Sequence, residues 1–176
     1  MANSSIIGDV KRKITRDFIK DTAIVAAIDS KNPKVNNPED LIYTHIFDFN
    51  QNPYTLKDVQ TFITVQVHIP EDRRRSTSSD SKRVFVKPTI EIWIISHENH
   101  MRVDNIPKVN MNRNDYLSTL IDKKINGRTD FGIGEVELKS NTESSYEKDY
   151  LVRVMVFETK DVKIANNWRF ACFFQE

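Results

Sequence analysis

Two histidines stand three positions apart in the run Ser96-His97-Glu98-Asn99-His100, a spacing that could place two imidazoles on one metal ion. A zinc site needs three or four protein ligands, and no obvious further ligands accompany this pair. The run also departs from the HExxH register of helical zinc sites and falls where a predicted strand ends. We therefore interpret His97 and His100 as surface loop histidines, and we predict no metal and no other cofactor.

Two further motifs contain residues that could take part in catalysis or ligand binding, but each has a simpler structural explanation. Cys172, the single cysteine, could act as a nucleophile only beside a base, and its place in an alternating aromatic run predicts burial in a strand. One cysteine cannot form an internal disulfide, so the sequence suits a reducing compartment. Gly132 and Gly134 lack the third glycine and the following helix of a nucleotide-binding loop, so we predict a bulge or a close backbone contact there.

The carboxylates also fail to suggest acid–base catalysis. Those near the predicted strands are scattered over exposed faces and loops, without a paired apolar setting that would shift a pKa. They are Asp48, Glu71, Asp72, Glu91, Glu135 and Glu137. We therefore predict that the protein is not an enzyme.

A basic, serine-rich loop is predicted at residues 70–83, in the run PEDRRRSTSSDSK. The stretch is too polar to pack and too long for a tight turn, so we expect a mobile hairpin loop that projects from the domain. Its basic residues are Arg73, Arg74, Arg75, Lys82 and Arg83. They could meet phosphates, an acidic protein surface or only water; serines in place of base-stacking aromatics favour a protein over nucleic acid.

The first 30 residues predict an amphipathic helix from about residue 6 to residue 28. Apolar side chains at Ile7, Val10, Ile14 and Phe18 recur at steps of three and four residues. The basic residues fall largely on other faces of this helix, and they are Lys11, Arg12, Lys13, Arg16 and Lys20. This basic face has the same three interpretations as the loop, and one of them is a subunit interface with acidic residues of a neighbour.

The length and the charge of the chain limit the classes of protein to which it can belong. The 176 residues suit one domain, and we predict that residues 1–176 form it. The 26 Lys and Arg nearly balance the 25 Asp and Glu, unlike the strongly basic composition of dedicated nucleic-acid-binding domains. The sequence contains neither the apolar segment of a secretion signal nor a run long enough to span a membrane, so we expect a soluble protein that is not exported.

Alternating apolar residues predict three strands after the first helix, at residues 41–49, 59–69 and 84–95. The second and third are expected to form a long antiparallel hairpin around the basic loop. Pro88 lies within the third strand and lacks an N–H, which predicts an edge strand or a bulge at that position.

A second helix and three more strands are predicted in the rest of the chain. The helix lies within residues 112–127, with an Asn112 or Asn114 cap and a stop at Asn126-Gly127. Strands follow at 132–138, 150–157 and 168–174, and Val152, Val154 and Val156 are expected to share an apolar face. The run NTESSYEKD is expected to form the polar turn between the first two of these strands.

These elements predict an α+β fold with the order αβββαβββ. Short strands joined by polar connections favour antiparallel pairing. We therefore expect a mainly antiparallel sheet of about five or six strands, with two helices packed on one face.

One segment resembles a known class of viral proteins. The run MNRNDYLSTLIDKKINGRTDFGIGEVELKSN, followed by YLVRVMVFET, resembles the neck proteins of long-tailed bacteriophages. The order of elements is similar to that of their tail-terminator or tail-completion proteins, from Ile6 to about Asp161. The Arg/Ser loop and the aromatic C-terminus from Trp168 do not match the family.

The resemblance implies a structural virion protein of the phage tail or neck. Such proteins form a ring, usually of six copies, that caps the tail tube and joins it to the head connector. The expected partners are copies of this chain, the tail tube protein and a head-completion or connector protein. DNA would pass through the ring without sequence-specific binding, no membrane would be involved, and the virion would be assembled in the host cytoplasm.

Two other functions are compatible with the same residues. One is a head-completion or connector protein on the other side of the neck. The second is a nucleic-acid-binding accessory protein that contacts phosphates through Arg73, Arg74 and Arg75 and through the lysines of the first helix.

Overall fold

Three α-helices and seven strands form in the part of the chain that the computed structural model describes. The described residues are 4–28, 37–56, 61–69, 84–86, 88–103, 106, 108–146, 148–160 and 162–164. The helices are α1 (Ser4–Ile19), α2 (Thr22–Ile28) and α3 (Arg113–Ile125). The strands are β1 (Ile46–Phe47), β2 (Thr61–His68), β3 (Val84–Val86), β4 (Thr89–His97), β5 (Val136–Tyr146), β6 (Tyr150–Thr159) and β7 (Val162–Ile164).

The predicted α+β class is confirmed, and the main sheet is mainly antiparallel, with one parallel pair that makes it mixed. Five strands lie in the order β1-β2-β4-β6-β5, and β1 and β2 are the parallel pair. The predicted hairpin is confirmed, since β2 and β4 pair antiparallel from Thr61 opposite Ser96 to His68 opposite Thr89. β3 and β7 form a separate two-stranded sheet.

The single helix predicted at residues 6–28 is wrong, because the chain forms two helices that meet at Lys20 and Asp21. The Asp21 carboxylate accepts from the backbone N–H groups of Ala23, at 3.0 Å, and Ile24, at 3.4 Å. Aspartate is a preferred N-cap because it satisfies N–H groups that have no partner in the first turn. Asp21 therefore starts a new helix where the apolar pattern continues without a break.

The predicted strand at 84–95 is two strands in different sheets. β3 pairs with β7, whereas β4 begins at Thr89 and pairs with β2 and β6. Pro88 lies just before β4, and its carbonyl accepts from the Thr159 N–H at 3.1 Å. A proline cannot donate to a strand ladder, so the change of sheet coincides with this residue.

The polar turn predicted at residues 141–149 is wrong for most of its length. β5 continues through Tyr146 and pairs with β6 along the whole run, with a register shift between Leu138 and Ser140. β5 is an edge strand whose second half is mostly exposed, so polar residues suit it. The predicted strand 41–49 is likewise reduced to the two residues of β1.

β5 also starts later than the predicted strand at 132–138. The backbones of Gly132 and Gly134 have φ angles of 75° and 99°. This left-handed region suits glycine and interrupts an extended strand. The two glycines therefore form an irregular segment before β5 begins at Val136.

The helices cover one face of the five-stranded sheet, as predicted, although three helices are present instead of two. Val10, Ile14 and Phe18 of α1 are buried in a core with residues of α2, α3 and the sheet. The apolar face predicted for β6 is present but points away from the helices, whereas Met155 and Phe157 on its other face point into this core. Val154 and Val156 are half-buried on the alternate face, where a smaller core contains Phe47, Phe62, Ile95, Tyr150 and Val152.

A fully buried arginine connects the helices to the end of the sheet. Arg113, the first residue of α3, has no exposed surface. Its guanidinium donates to the backbone carbonyls of His100 and Arg102, both at 2.6 Å, and to the carbonyl of Ala27. These carbonyls belong to the end of α2 and to the connection between β4 and α3, so one side chain holds the two segments together.

Ion pairs fix one flank of α1 against the segment that follows α3. The Arg128 guanidinium lies 2.6 Å from Asp17 and 2.7 Å from Asp130, and Lys13 lies 2.8 Å from Asp130. The Arg128 guanidinium also lies over the Phe131 ring, 4.3 Å from its centroid. These hydrogen bonds, from Arg128 first and then from Lys13, hold the pKa of the Asp130 carboxyl well below its usual range.

Replacing Arg113 with methionine is expected to destabilise the fold strongly. The substitution keeps a long side chain but leaves buried carbonyls without their donor, and each such group costs about 1–3 kcal/mol. We expect the free energy of unfolding, measured by urea titration, to fall by about 3–5 kcal/mol. Arg102→Met, at an exposed neighbouring position, is the control and should change it by less than about 0.5 kcal/mol. A loss below about 1 kcal/mol for Arg113→Met would contradict this role.

The Asp130 ion pairs predict a stability that depends on acid pH. The folded-state pKa lies below the unfolded value of about 3.9, so the contribution is present above that pH and disappears as the pH falls further. Because Asp130 is half exposed, Asp130→Asn should cost only about 0.5–1 kcal/mol at pH 7. Thermal unfolding between pH 7 and pH 2.5 should show the two proteins converging below pH 4. Asp149→Asn is the exposed control, and a constant difference across this range would exclude the ion pairs as the cause.

Candidate functional site

The outward side of α1 contains part of the basic face that the sequence predicts. Two of the five predicted basic residues contact other segments of the same chain. Lys11 donates to the backbone carbonyl of Asp48 at 2.6 Å, and Lys13 pairs with Asp130. Both lysines are half-buried on the flanks of α1, where they attach the helix to neighbouring segments.

The other three basic residues form a line, which we call the α1 stripe: Arg12, Arg16 and Lys20. They are exposed and follow one another at steps of four residues, so Arg12 and Arg16 lie on one side of α1, and Lys20, which directly follows the last residue of α1, continues the line. This side is opposite the one that contributes Val10 and Ile14 to the core. Neighbouring members are about 6 Å apart along the axis, since each residue of a helix rises about 1.5 Å.

The positive charge of the α1 stripe is little compensated by the described residues. Arg12 lies 3.4 Å from Asp9, but both side chains are more than 60% exposed, at 62% and 65%. Such pairs contribute at most about 1 kcal/mol. The Arg16 and Lys20 side chains form no hydrogen bond or ion pair with any other described residue. The stripe can therefore bind carboxylates or phosphates of a partner.

A second exposed feature, which we call the β1 ledge, consists of Tyr43 and Phe49 on either side of β1. Their side chains are 61% and 44% exposed, and the rings stack with centroids 6.4 Å apart. Phe49 also meets the buried Phe47 edge-to-face at 5.4 Å. Exposed aromatic pairs of this kind are typical of protein interfaces.

The backbone of the β1 ledge is strained at Tyr43, which has a φ of 63°. A bulky side chain rarely adopts this left-handed conformation. The turn holds it there through hydrogen bonds from the Tyr43 N–H to the Ile46 carbonyl at 2.9 Å and from the Thr44 hydroxyl to the Asp40 carbonyl at 2.5 Å. The sequence gives no sign of this turn, because the aromatic residues suggested an ordinary strand.

Two carboxylates flank the β1 ledge in sequence. Glu39 is exposed and lies four residues before Tyr43, whereas Asp48 is half-buried and precedes Phe49. In the described portion of the chain, neither carboxylate has an ion-pair or hydrogen-bond partner. The ledge therefore combines aromatic rings with negative charge, which is exposed at Glu39, whereas Asp48 has the Lys11 ammonium beside its backbone carbonyl at 2.6 Å.

The two histidines that were considered as metal ligands make contacts with other residues. His97 accepts from the Asn99 N–H at 3.2 Å and packs edge-to-face on Tyr150. The His100 ring lies 3.1 Å from the hydroxyl of Thr61. The described residues include no group of three or more His, Cys, Asp or Glu side chains arranged to hold a metal ion.

Thr61 begins a buried hydrogen-bond chain that sequence reasoning missed. Its hydroxyl lies 3.1 Å from that of Ser96, which donates to the Asn114 side chain at 2.7 Å; Asn114 in turn donates to the Leu151 carbonyl at 3.0 Å. Thr61 and Ser96 are buried, with 1% and 0% exposure, so a substrate cannot reach these hydroxyls. The chain of contacts joins β2, β4, α3 and β6, and its role is structural.

The carboxylates predicted on strand faces mostly lie close to basic side chains. Glu135 and Glu137 lie 2.7 and 2.9 Å from Lys160, and Glu91 lies 3.5 Å from His68. Glu71 and Asp72 lie outside the described residues, as do Cys172 and the predicted strand at 168–174.

The basic residues predicted for the projecting loop, Arg73, Arg74, Arg75, Lys82 and Arg83, also lie outside the described residues. No helix in the described regions is long and apolar enough to cross a membrane. Of the predicted site residues, the structure brings together three from the first helix, which form the α1 stripe. The β1 ledge is a second exposed surface that was not predicted.

Comparison with known proteins identifies a family. No curated protein matches this sequence. The YomW family profile matches residues 18–159, from the last turn of α1 to the end of β6. This match covers most of the chain, and YomW is a phage-derived protein family, found in a Bacillus prophage. The chain therefore belongs to the phage-derived YomW family.

Proposed function

We propose that this protein is a structural subunit of a phage particle, acting as a tail terminator or tail-completion protein. In this proposal, copies close into a ring that caps the tail tube and joins it to the head connector, and DNA passes through the centre. Six copies per ring is the usual number in the phage neck proteins that residues 111–141 and 150–159 resemble. The protein would be assembled in the host cytoplasm and retained in the virion.

The observation that carries this proposal is the α1 stripe. A phage-derived chain of net charge +1 exposes three cations in a line, and among the described residues only Asp9 lies within ion-pair distance of one of them, Arg12. A line of weakly compensated charge favours a specific partner, since charged groups fix register and orientation at protein interfaces.

The sheet edge supports assembly as well. β5 lies at the margin of the five-stranded sheet, and its second half is mostly exposed. Natural proteins usually shorten or cover such edges because an open edge pairs readily with another chain. An exposed edge on a long strand is therefore compatible with a subunit that works in an assembly.

A head-completion or connector subunit is the alternative within the same class. It would use the same surfaces, and the partner distinguishes the two functions. Binding to the tail tube protein supports the tail-terminator proposal, whereas binding to the portal-side connector alone supports the alternative.

The proposal predicts closed rings in solution. Sedimentation velocity and negative-stain microscopy of the purified protein, with and without tail tube protein, should show rings consistent with six copies. Raising NaCl from 0.1 to 1 M should shift the equilibrium toward monomer, because the Debye length falls from about 10 to about 3 Å. A monomer at high protein concentration, both alone and with the tube protein, would contradict the proposal.

A nucleic-acid-binding function predicts a different result. Duplex DNA would then bind with an affinity that falls steeply with salt, and Arg73→Ser/Arg74→Ser/Arg75→Ser would weaken binding and reduce the salt slope. The assembly proposal predicts that this triple variant binds duplex DNA as weakly as the wild type does. Fluorescence anisotropy at 50 and 200 mM salt measures both quantities, and a large loss in the variant would favour the nucleic-acid function.

A further inference from the structure

We infer that the α1 stripe of one copy binds the β1 ledge of the next copy, so that the subunits join head to tail. This inference rests on the proposed function, because it names the contact by which the proposed ring closes. The stripe is Arg12, Arg16 and Lys20, and the ledge is the Tyr43–Phe49 pair with the flanking carboxylates of Glu39 and Asp48.

The two surfaces are chemically complementary. The stripe presents cations that lack strong partners within the described residues, and the ledge presents the exposed Glu39 carboxylate and the half-buried Asp48 beside exposed aromatic faces. Guanidinium groups bind carboxylates through paired hydrogen bonds and also stack on aromatic rings. A stripe of arginine and lysine therefore matches both components of the ledge.

The protein already uses this combination once within its own fold. Arg128 pairs with Asp17 and Asp130 while its guanidinium lies over the Phe131 ring, 4.3 Å from the centroid. The same arrangement of arginine, carboxylate and aromatic ring is what the stripe and the ledge would form between two copies.

The stripe and the ledge face different directions on one molecule. Lys11 contacts the Asp48 carbonyl, so the flank of α1 that bears Lys11 lies toward the ledge. Arg12 follows Lys11 directly and is therefore displaced by about 100° around the helix axis. Two different surfaces set at an angle make a heterologous contact, which closes into a ring when the rotation between copies closes.

A symmetric pairing of two stripes is disfavoured by charge. It would bring six cations together, because each copy contributes Arg12, Arg16 and Lys20. Like charges facing each other at an interface cost several kcal/mol. The complementary ledge on a second copy avoids this repulsion.

The test uses two variants that each disable one surface of the full-length protein. The stripe variant is Arg12→Gln/Arg16→Gln/Lys20→Gln, and the ledge variant is Glu39→Gln/Tyr43→Asn/Phe49→Ser. Asparagine at position 43 tolerates the left-handed backbone. Matched controls are Arg102→Gln/Lys123→Gln/Lys148→Gln, which removes three other exposed cations, and Met111→Asn, which removes another exposed apolar side chain. Circular dichroism and thermal unfolding verify that each variant folds.

The head-to-tail contact predicts a specific result when the stripe variant and the ledge variant are mixed. Each variant alone should require at least a tenfold higher concentration for half-maximal assembly than the wild type. An equimolar mixture should form a one-to-one dimer and stop there, because one native stripe meets one native ledge and no further pair remains. The two controls should assemble as the wild type does.

Other outcomes separate failure of this contact from failure of the proposed function. Wild-type rings that are unaffected by both variants would overturn the contact and leave ring assembly intact, whereas a wild type that never assembles would overturn the proposed function. A mixture that stays monomeric would overturn head-to-tail pairing of these surfaces. A stripe variant that assembles normally but loses salt-dependent binding to duplex DNA would assign the stripe to phosphates and overturn the inference.

Discussion

The buried guanidinium of Arg113 is the constraint on which the arrangement of helices depends. It is fully enclosed and donates to carbonyls of α2 and of the connection before α3. Burying a charge costs several kcal/mol unless hydrogen bonds satisfy it, so few arrangements of these segments are acceptable. The next residue, Asn114, extends the constraint by joining Ser96 of β4 to the carbonyl of Leu151 in β6. Apolar packing would tolerate some sliding of helices over the sheet, but these directional bonds do not.

The fixed helices determine which charges stay available to partners. α1 packs through Val10, Ile14 and Phe18, and its flanks are held by Lys11 on one side and by the Lys13–Asp130–Arg128 group on the other. These contacts set the rotation of α1 about its own axis. The α1 stripe therefore points outward as a consequence of the packing, and its three side chains are presented on a rigid backbone. A rigid presentation reduces the entropy that binding must overcome.

The sequence predicted the elements whose signals are local and missed those set by distant contacts. Helix α3 was predicted well because Asn112 caps it, accepting from the Asp115 N–H, and because its apolar residues are periodic. The helix break at Asp21 was missed because the apolar pattern crosses it. The strand predicted at 132–138 ends too early, because the Ser, Thr and Asn residues that follow it suggest a turn. These residues belong to β5 because they pair with β6. Arg113 looks like an ordinary exposed charge in the first turn of a helix, since its carbonyl partners are far away in sequence or belong to irregular segments.

The same distinction applies to the candidate surfaces. The basic face of α1 was predicted from sequence, but its division into two anchoring lysines and three outward cations depends on where Asp48 and Asp130 lie. The β1 ledge was not predicted, because a left-handed Tyr43 has no local signature. Its strained backbone costs about 1–3 kcal/mol, which asparagine or glycine would largely avoid. Because Tyr43 is 61% exposed, it regains little of that cost by burial within one copy. A contact with a second molecule would bury the ring. The free energy gained by that burial would offset the backbone strain, which is the physical reason to expect Tyr43 at a contact between copies.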